Sequence, residues 1–155
     1  MTDLTDILAP SAILPKVHAS SKRQALQTVC DTLAETAGLD SRAIFDAVLL
    51  RERLSGTGMG EGVAIPHARA AGVKHPIGAF ARFDPPVDFD ALDGRPADLV
   101  FLLLAPAERG ADHLKALARV ARFLRRAEVR ERLRAARGLD GLLAVFETPP
   151  KSDAA

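Results

Sequence analysis

A chain of 155 residues fits one domain and buries about 68–70% of its unfolded-state surface, so no disulfide is needed, and the single Cys30 could form none within the chain. The formal net charge of +1 gives no global electrostatic case for nucleic acid, and no run of about 18 apolar residues exists to span a membrane. The acidic start, Met1-Thr2-Asp3-Leu4-Thr5-Asp6, lacks the basic region of a signal peptide, and the expectation is a soluble cytoplasmic protein in a reducing compartment.

In chain order, Ser21 and Gln24 are spaced as a capping box. Behind them Ala25, Leu26, Val29, Cys30 and Leu33 recur at helical spacing until Gly38 stops the helix. Cys30 on that apolar face reads as a small buried hydrophobe rather than a reactive thiol. Asp40 or Ser41 caps a second helix whose apolar face is Ile44, Phe45, Val48 and Leu49, and which runs out over residues 51–54. Arg51 therefore faces Ser55-Gly56-Thr57-Gly58-Met59-Gly60-Glu61-Gly62, a loop with glycine at every second position. Then come the apolar triplet Val63-Ala64-Ile65 and Pro66-His67-Ala68-Arg69. Pro66 fixes its own φ and drives Ile65 into an extended conformation, presenting His67 at the end of a short strand.

Gly78-Ala79-Phe80-Ala81-Arg82-Phe83 reads as a strand closed by Pro85-Pro86. The run Asp98-Leu99-Val100-Phe101-Leu102-Leu103-Leu104-Ala105 ends at Pro106. Its length and flanks suit a strand covered on both faces, and periodicity alone leaves a buried helix open. Gly110 and Asp112 open a helix carrying Leu114, Leu117, Val120, Ala121 and Leu124; a further helix spans residues 128–136, with Gly138 as its stop. Arg119, Arg122, Arg125, Arg126, Arg130, Arg132, Arg134 and Arg137 crowd this last third, interrupted by Glu128 and Glu131, and read as a solvated face before a docking surface. Strands separated by helices imply a single α/β domain, a sheet flanked by helices.

The glycine loop is neither a Walker A nor a G-x-G-x-x-G motif, position 61 being Glu and position 63 Val, so no nucleotide site is expected. No H-x-H, H-E-x-x-H or cysteine pair occurs, so neither a metal nor another cofactor is expected. His67 remains. Neutral imidazole is nucleophilic near pH 7, and a hydrogen bond to one ring nitrogen selects the other for attack. Arg51 can offer a planar charged fork to phosphoryl oxygens, although a cation there also suits the helix dipole. Glycines in the loop let backbone N–H groups approach an anion. His18 and His75 read as surface residues.

The set Arg51-Glu52, Thr57-Gly58, Gly60, Val63-Ala64-Ile65-Pro66-His67 and Arg69 resembles the histidine motif of phosphotransferase-system (PTS) enzyme IIA domains of the fructose–mannitol–nitrogen class. The likeness covers residues 4–146, including Asp112-His113-Leu114, and leaves 147–155 as a flexible tail. Ser55-Gly56 reverses the usual Gly-Ser order, and Ala68 stands where the class has glycine. The resemblance implies a mixed sheet with the active site near its edge. It implies that His67 is phosphorylated on Nε2, that His113 and Arg51 assist, and that Thr57, Gly58, Gly60 and Arg69 shape a phosphate pocket. It further implies an HPr-like phosphocarrier as donor and a phosphoryl relay rather than small-molecule turnover. Residues 98–104 and 113–124 look like the nitrogen type, and the expectation is that no fused IIB or membrane domain follows Phe146. The expected role is therefore regulation of partners such as potassium transport systems or sensor kinases, with no nucleic acid and no membrane insertion. The alternatives are a sugar-specific IIA serving a IIB component and a binding module that has lost phosphorylation.

Overall fold

The apolar run before Pro106 is a strand, and the rest of the molecule is arranged about it. The computed structural model describes residues 4–108 and 110–147. Along the chain come β1 (Leu8–Val17), α1 (Lys22–Ala37), α2 (Ser41–Leu54), β2 (Gly58–Gly60), β3 (Val63–Ala64), β4 (His67–Ala70), β5 (Ile77–Val87) and β6 (Ala97–Pro106). Three helices complete it: α3 (Gly110–Arg125), α4 (Ala127–Ala135) and α5 (Gly138–Phe146). Every β6 residue except Asp98 is buried, as expected of a central strand covered on both faces.

The sheet is mixed, in the order β1-β5-β6-β3-β2, with β4 also paired to β6. β5 lies antiparallel to β6, and β1 parallel to β5. β3 and β4 lie end to end along the other side of β6, both parallel to it, with Ala64 opposite Val100 and His67 opposite Leu103. The gap between them is Ile65-Pro66. Pro66 has no N–H to give the ladder, but its carbonyl still accepts from Leu103 at 2.9 Å. One strand is thus broken at the proline, and His67 opens its second half on an edge whose described ladder partner is β6 alone.

The helices close over this sheet: α1 packs on β5, α2 on β4, α3 on β6 and α5 on β1. α1 buries Ala25, Leu26, Val29, Cys30, Leu33 and Ala34. Burial pushes the Cys30 thiol up to about 12, far from a reactive thiolate. Phe146 of α5 meets Phe80 edge-on at 4.9 Å and stacks on Phe123 at 5.6 Å. Such pairs contribute about 0.5–1.5 kcal/mol each beyond their area, and they pin α5 to β5 and α3.

Several local expectations change on contact with the rest of the fold. Ser21 caps α1 from its side chain, but Gln24 returns to the Ser20 N–H at 2.6 Å, so the box closes one residue upstream. Asp40 is the cap of α2. The glycine loop is partly ordered as a hairpin: β2 pairs antiparallel with β3 across a turn in which Glu61 and Gly62 have φ of 58° and 77°. A Cβ on Gly62 would stand 2.3 Å from the Arg134 guanidinium and would displace it from its pairing with Asp98. Pro85 and Pro86 lie inside β5 rather than closing it. Gly138 starts α5 instead of ending α4, whose C-cap is Ala136. β1, carrying Pro10 and Pro15, is an edge strand, where a missing donor is tolerated.

The arginine run is only partly a solvent face. Arg119 forks onto Asp6 at 2.7 and 2.9 Å, Arg130 donates to the Leu124 and Arg125 carbonyls ending α3, and Arg134 pairs with Asp98. Planar forks reach helix-end carbonyls and carboxylates that a lysine would meet at one point. The expected tail beyond Glu147 lies outside the described residues.

Candidate functional site

Three elements meet at His67. The last turn of α2 brings Arg51, the start of β4 brings His67 and Arg69, and the first turn of α3 brings His113. Together they line a cleft of about 640 Å³. Arg69 follows His67 by two positions on β4, so both side chains leave the same face of the strand.

The His67 ring is held by one bond: Nδ1–H donates to the Ile65 carbonyl at 2.7 Å. A carbonyl only accepts, so the proton resides on Nδ1 and Nε2 keeps its lone pair. Burial lowers the His67 pKa; the Ile65 bond opposes that shift, the Arg51 charge adds to it, and the Glu52 charge opposes it. The ring stays neutral to lower pH than an exposed histidine. His113 stands 5.3 Å away, ring centre to ring centre, tilted by 46°. Its pKa is also lowered, first by burial and then by His67, Arg69 and Arg51. Its Nδ1 is buried with no hydrogen-bond partner among the described residues.

Arg51 donates from one terminal nitrogen to the Ser55 carbonyl at 2.7 Å, closing the end of α2. The cation therefore serves the helix terminus and lines the cleft at once. The reversed Ser55-Gly56 order is accommodated, because Ser55 is exposed at the C-cap and a Cβ on Gly56 would meet the Phe89 carbonyl at 3.3 Å. Ala68 is buried opposite Leu104.

The remaining candidates divide. Thr57 and Gly58 line a second hollow of about 260 Å³ that also reaches Arg51 and His67. Gly60 does not join them; it lines a separate hollow with Arg125 and Arg130 and faces Asp93. The Thr57 hydroxyl is occupied: it donates to Glu52 Oε1 at 2.5 Å while the Thr57 N–H donates to Oε2 at 2.9 Å. Lys22 reaches the same carboxylate at 3.2 Å and Asp90 at 2.7 Å.

Glu52 stood in the motif without a role, and Lys22 was not singled out at all. Two signals were present. Phe45, Val48 and Glu52 share one helical face, so Glu52 continues the buried stripe. Lys22 opens a helix, where the dipole disfavours a cation unless an anion is near.

A neutral imidazole with a free Nε2, two permanent cations and a second imidazole with spare hydrogen-bonding capacity suit an anionic electrophile. The family model described as "Phosphoenolpyruvate-dependent sugar phosphotransferase system, EIIA 2" matches residues 6–148. A nitrogen regulatory protein of Bradyrhizobium diazoefficiens is 49% identical over 151 residues, covering 97% of this chain and 99% of its own length. A PTS fructose-specific EIIA component of Haloferax volcanii is 39% identical over 134 residues, covering 86% of this chain and 87% of its own. The crystal structure of nitrogen regulatory protein IIA-Ntr from Neisseria meningitidis matches with a TM-score of 0.85 at 36% identity, covering 92% of this chain and 98% of that one. With sequence and fold agreeing over nearly the whole length, the chain belongs to the PTS enzyme IIA family of the second type and is a nitrogen-type member of it.

Proposed function

We propose that the chain is a phosphoryl carrier whose His67 Nε2 accepts a phosphoryl group from the phosphohistidine of an HPr-like carrier. The P–N bond to the donor breaks, its electron pair stays on the donor nitrogen, and a P–N bond to Nε2 forms. The observation that carries this reading is the Nδ1–H bond to Ile65, which leaves Nε2 as the nucleophile. Phosphoryl transfer asks little covalent work of a protein beyond alignment and charge stabilisation. Arg51 and Arg69 supply the charge, His113 a nitrogen with no partner among the described residues, and Thr57 and Gly58 the wall of the adjoining hollow. Gly60 serves that wall indirectly, by shaping the hairpin. No cofactor takes part.

Phosphorylation adds roughly −1.5 to −2 charge at pH 7 beside two arginines and the exposed Leu50, Leu54 and Leu114 of the cleft rim. That change switches which partner the rim accepts. By likeness to the nitrogen regulatory proteins, those partners are regulated targets in the cytoplasm, such as potassium transport systems or sensor kinases. No helix among the described residues is long and apolar enough to cross a membrane. A second reading, delivery of phosphate to a sugar-specific IIB component, is supported by the fructose-specific Haloferax relative.

Incubation with the phosphorylated carrier tests the chemistry. Intact mass should gain one phosphoryl group in the wild type and none in His67→Ala. An unlabelled wild type, or equal labelling of the variant, refutes the proposal and leaves a binding module on this fold.

A further inference from the structure

Glu52 has no part in the chemistry just described, yet it is 5% exposed. A buried carboxylate is strongly unfavourable unless paired and hydrogen-bonded. Its partners lead toward the site. Lys22 pairs with Glu52, and Glu52 accepts both the N–H and the hydroxyl of Thr57. The Thr57 carbonyl accepts the Ile65 N–H at 3.1 Å. The Ile65 carbonyl accepts the His67 Nδ1–H at 2.7 Å. A series of hydrogen bonds through Thr57 and Ile65 thus joins the half-buried ion pair to the imidazole.

The series supplies at the strand break the hydrogen bonds that the β6 ladder does not. Ile65 lies in the gap between β3 and β4, and its N–H goes to Thr57 rather than to β6. Pro66 offers the gap no donor, and its carbonyl, which accepts from Leu103, fixes the far side of the peptide rather than the Ile65 carbonyl. Thr57 is flanked by Gly56 and Gly58, which lend the backbone little stiffness of their own. An unconstrained imidazole also distributes its proton between both nitrogens, favouring Nε2, the nitrogen that must be bare to attack.

Resting on the phosphoryl chemistry proposed for His67, we infer that Glu52 is a positioning residue. Anchored by Lys22, it holds Thr57 and, through Ile65, keeps the His67 ring in the tautomer and orientation that leave Nε2 free.

The test reads the His67 ring nitrogens by long-range ¹H–¹⁵N NMR, alongside kcat and KM for labelling by the phosphorylated carrier. Glu52→Leu removes the acceptor. Glu52→Gln keeps it, since one oxygen can take the Thr57 N–H while the amide donates to the Thr57 hydroxyl. Thr57→Val deletes one bond at nearly constant volume. In Glu52→Leu the Nδ1–H tautomer should give way to a mixture, and kcat should fall about 10- to 100-fold at unchanged KM, the penalty for a misaligned nucleophile. Glu52→Gln should keep the wild-type tautomer and nearly the wild-type rate, and Thr57→Val should fall between. Wild-type nitrogen signals in both Glu52→Leu and Thr57→Val overturn the inference, and so does a slower rate with an unchanged tautomer. If Glu52→Leu does not fold, Thr57→Val decides alone on the same signals. A wild type that takes no phosphate defeats the phosphoryl reading, while the nitrogen signals still judge the positioning role.

Discussion

The strand break at Pro66 and the first turn of α3 bring two imidazoles within 5.3 Å of each other, yet the two places are built on opposite terms. At the break, Nδ1 of His67, the N–H of Ile65 and the carbonyl of Pro66 all have partners. At the helix start, Nδ1 of His113 is buried without one among the described residues. A nucleophile gains from a single fixed tautomer, whereas a group that meets an arriving anion gains from unused capacity. Leaving a buried polar atom unpaired costs about 1–3 kcal/mol, and in the proposed reading the phosphorylated state offsets it.

That contrast can be tested at several strengths. The largest effect is expected at Arg51, the cation shared by the α2 terminus and the cleft. Arg51→Met should slow labelling of His67 by about 10²–10³-fold, as expected for loss of a preorganised charge donor. Kinetics with the phosphorylated carrier measure it, and an unchanged rate would confine Arg51 to capping the helix.

His113→Leu should slow labelling about 10-fold and at the same time stabilise the unphosphorylated protein by about 1 kcal/mol in urea, because an unsatisfied buried atom is removed. His67→Leu should bring no such gain, since it breaks a bond already made. Equal stability changes in the two variants would erase the distinction between the sites.

The smallest effect concerns pH. Both imidazole pKa values lie below the ordinary 6.5, chiefly through burial. The unfolded chain therefore takes up protons first as pH falls, and stability is full above about 6.5 and declines as pH drops from there through the folded-state values. Urea denaturation of the wild type should show this decline, and a His67→Gln/His113→Gln double variant should flatten it. For the same reason, the acid limb of the labelling profile should lie below pH 6.5.

Much of the site was legible because its signals are local. Pro66 before His67, Arg51 at a helix end and the glycines between them lie within a short stretch, and each acts through its own φ or its nearest neighbours. His113 could be placed near a helix start, but its distance from His67 could not. The hairpin in the glycine loop was hidden because β3 has two residues, too few to show a period. β1 was hidden by Pro10 and Pro15, which argue against a strand until an edge position is known. Gly138 was read as a stop because glycine commonly ends helices; with φ of 63° at the start of α5, it serves the turn between two helices instead.

Helix caps at Ser21 and Asp40, the stop at Gly38, the buried strand before Pro106 and the presentation of His67 arise from rules that reach only a few residues along the chain. The meeting of Arg51, His67 and His113, the burial of Glu52 against Lys22 and Thr57, and the unpaired Nδ1 of His113 arise from packing. Lys22 and His113 lie far from the others in the chain, and only the closing of α1, α2 and α3 over the sheet brings them within hydrogen-bonding or ring-contact range while excluding water from the groups they approach.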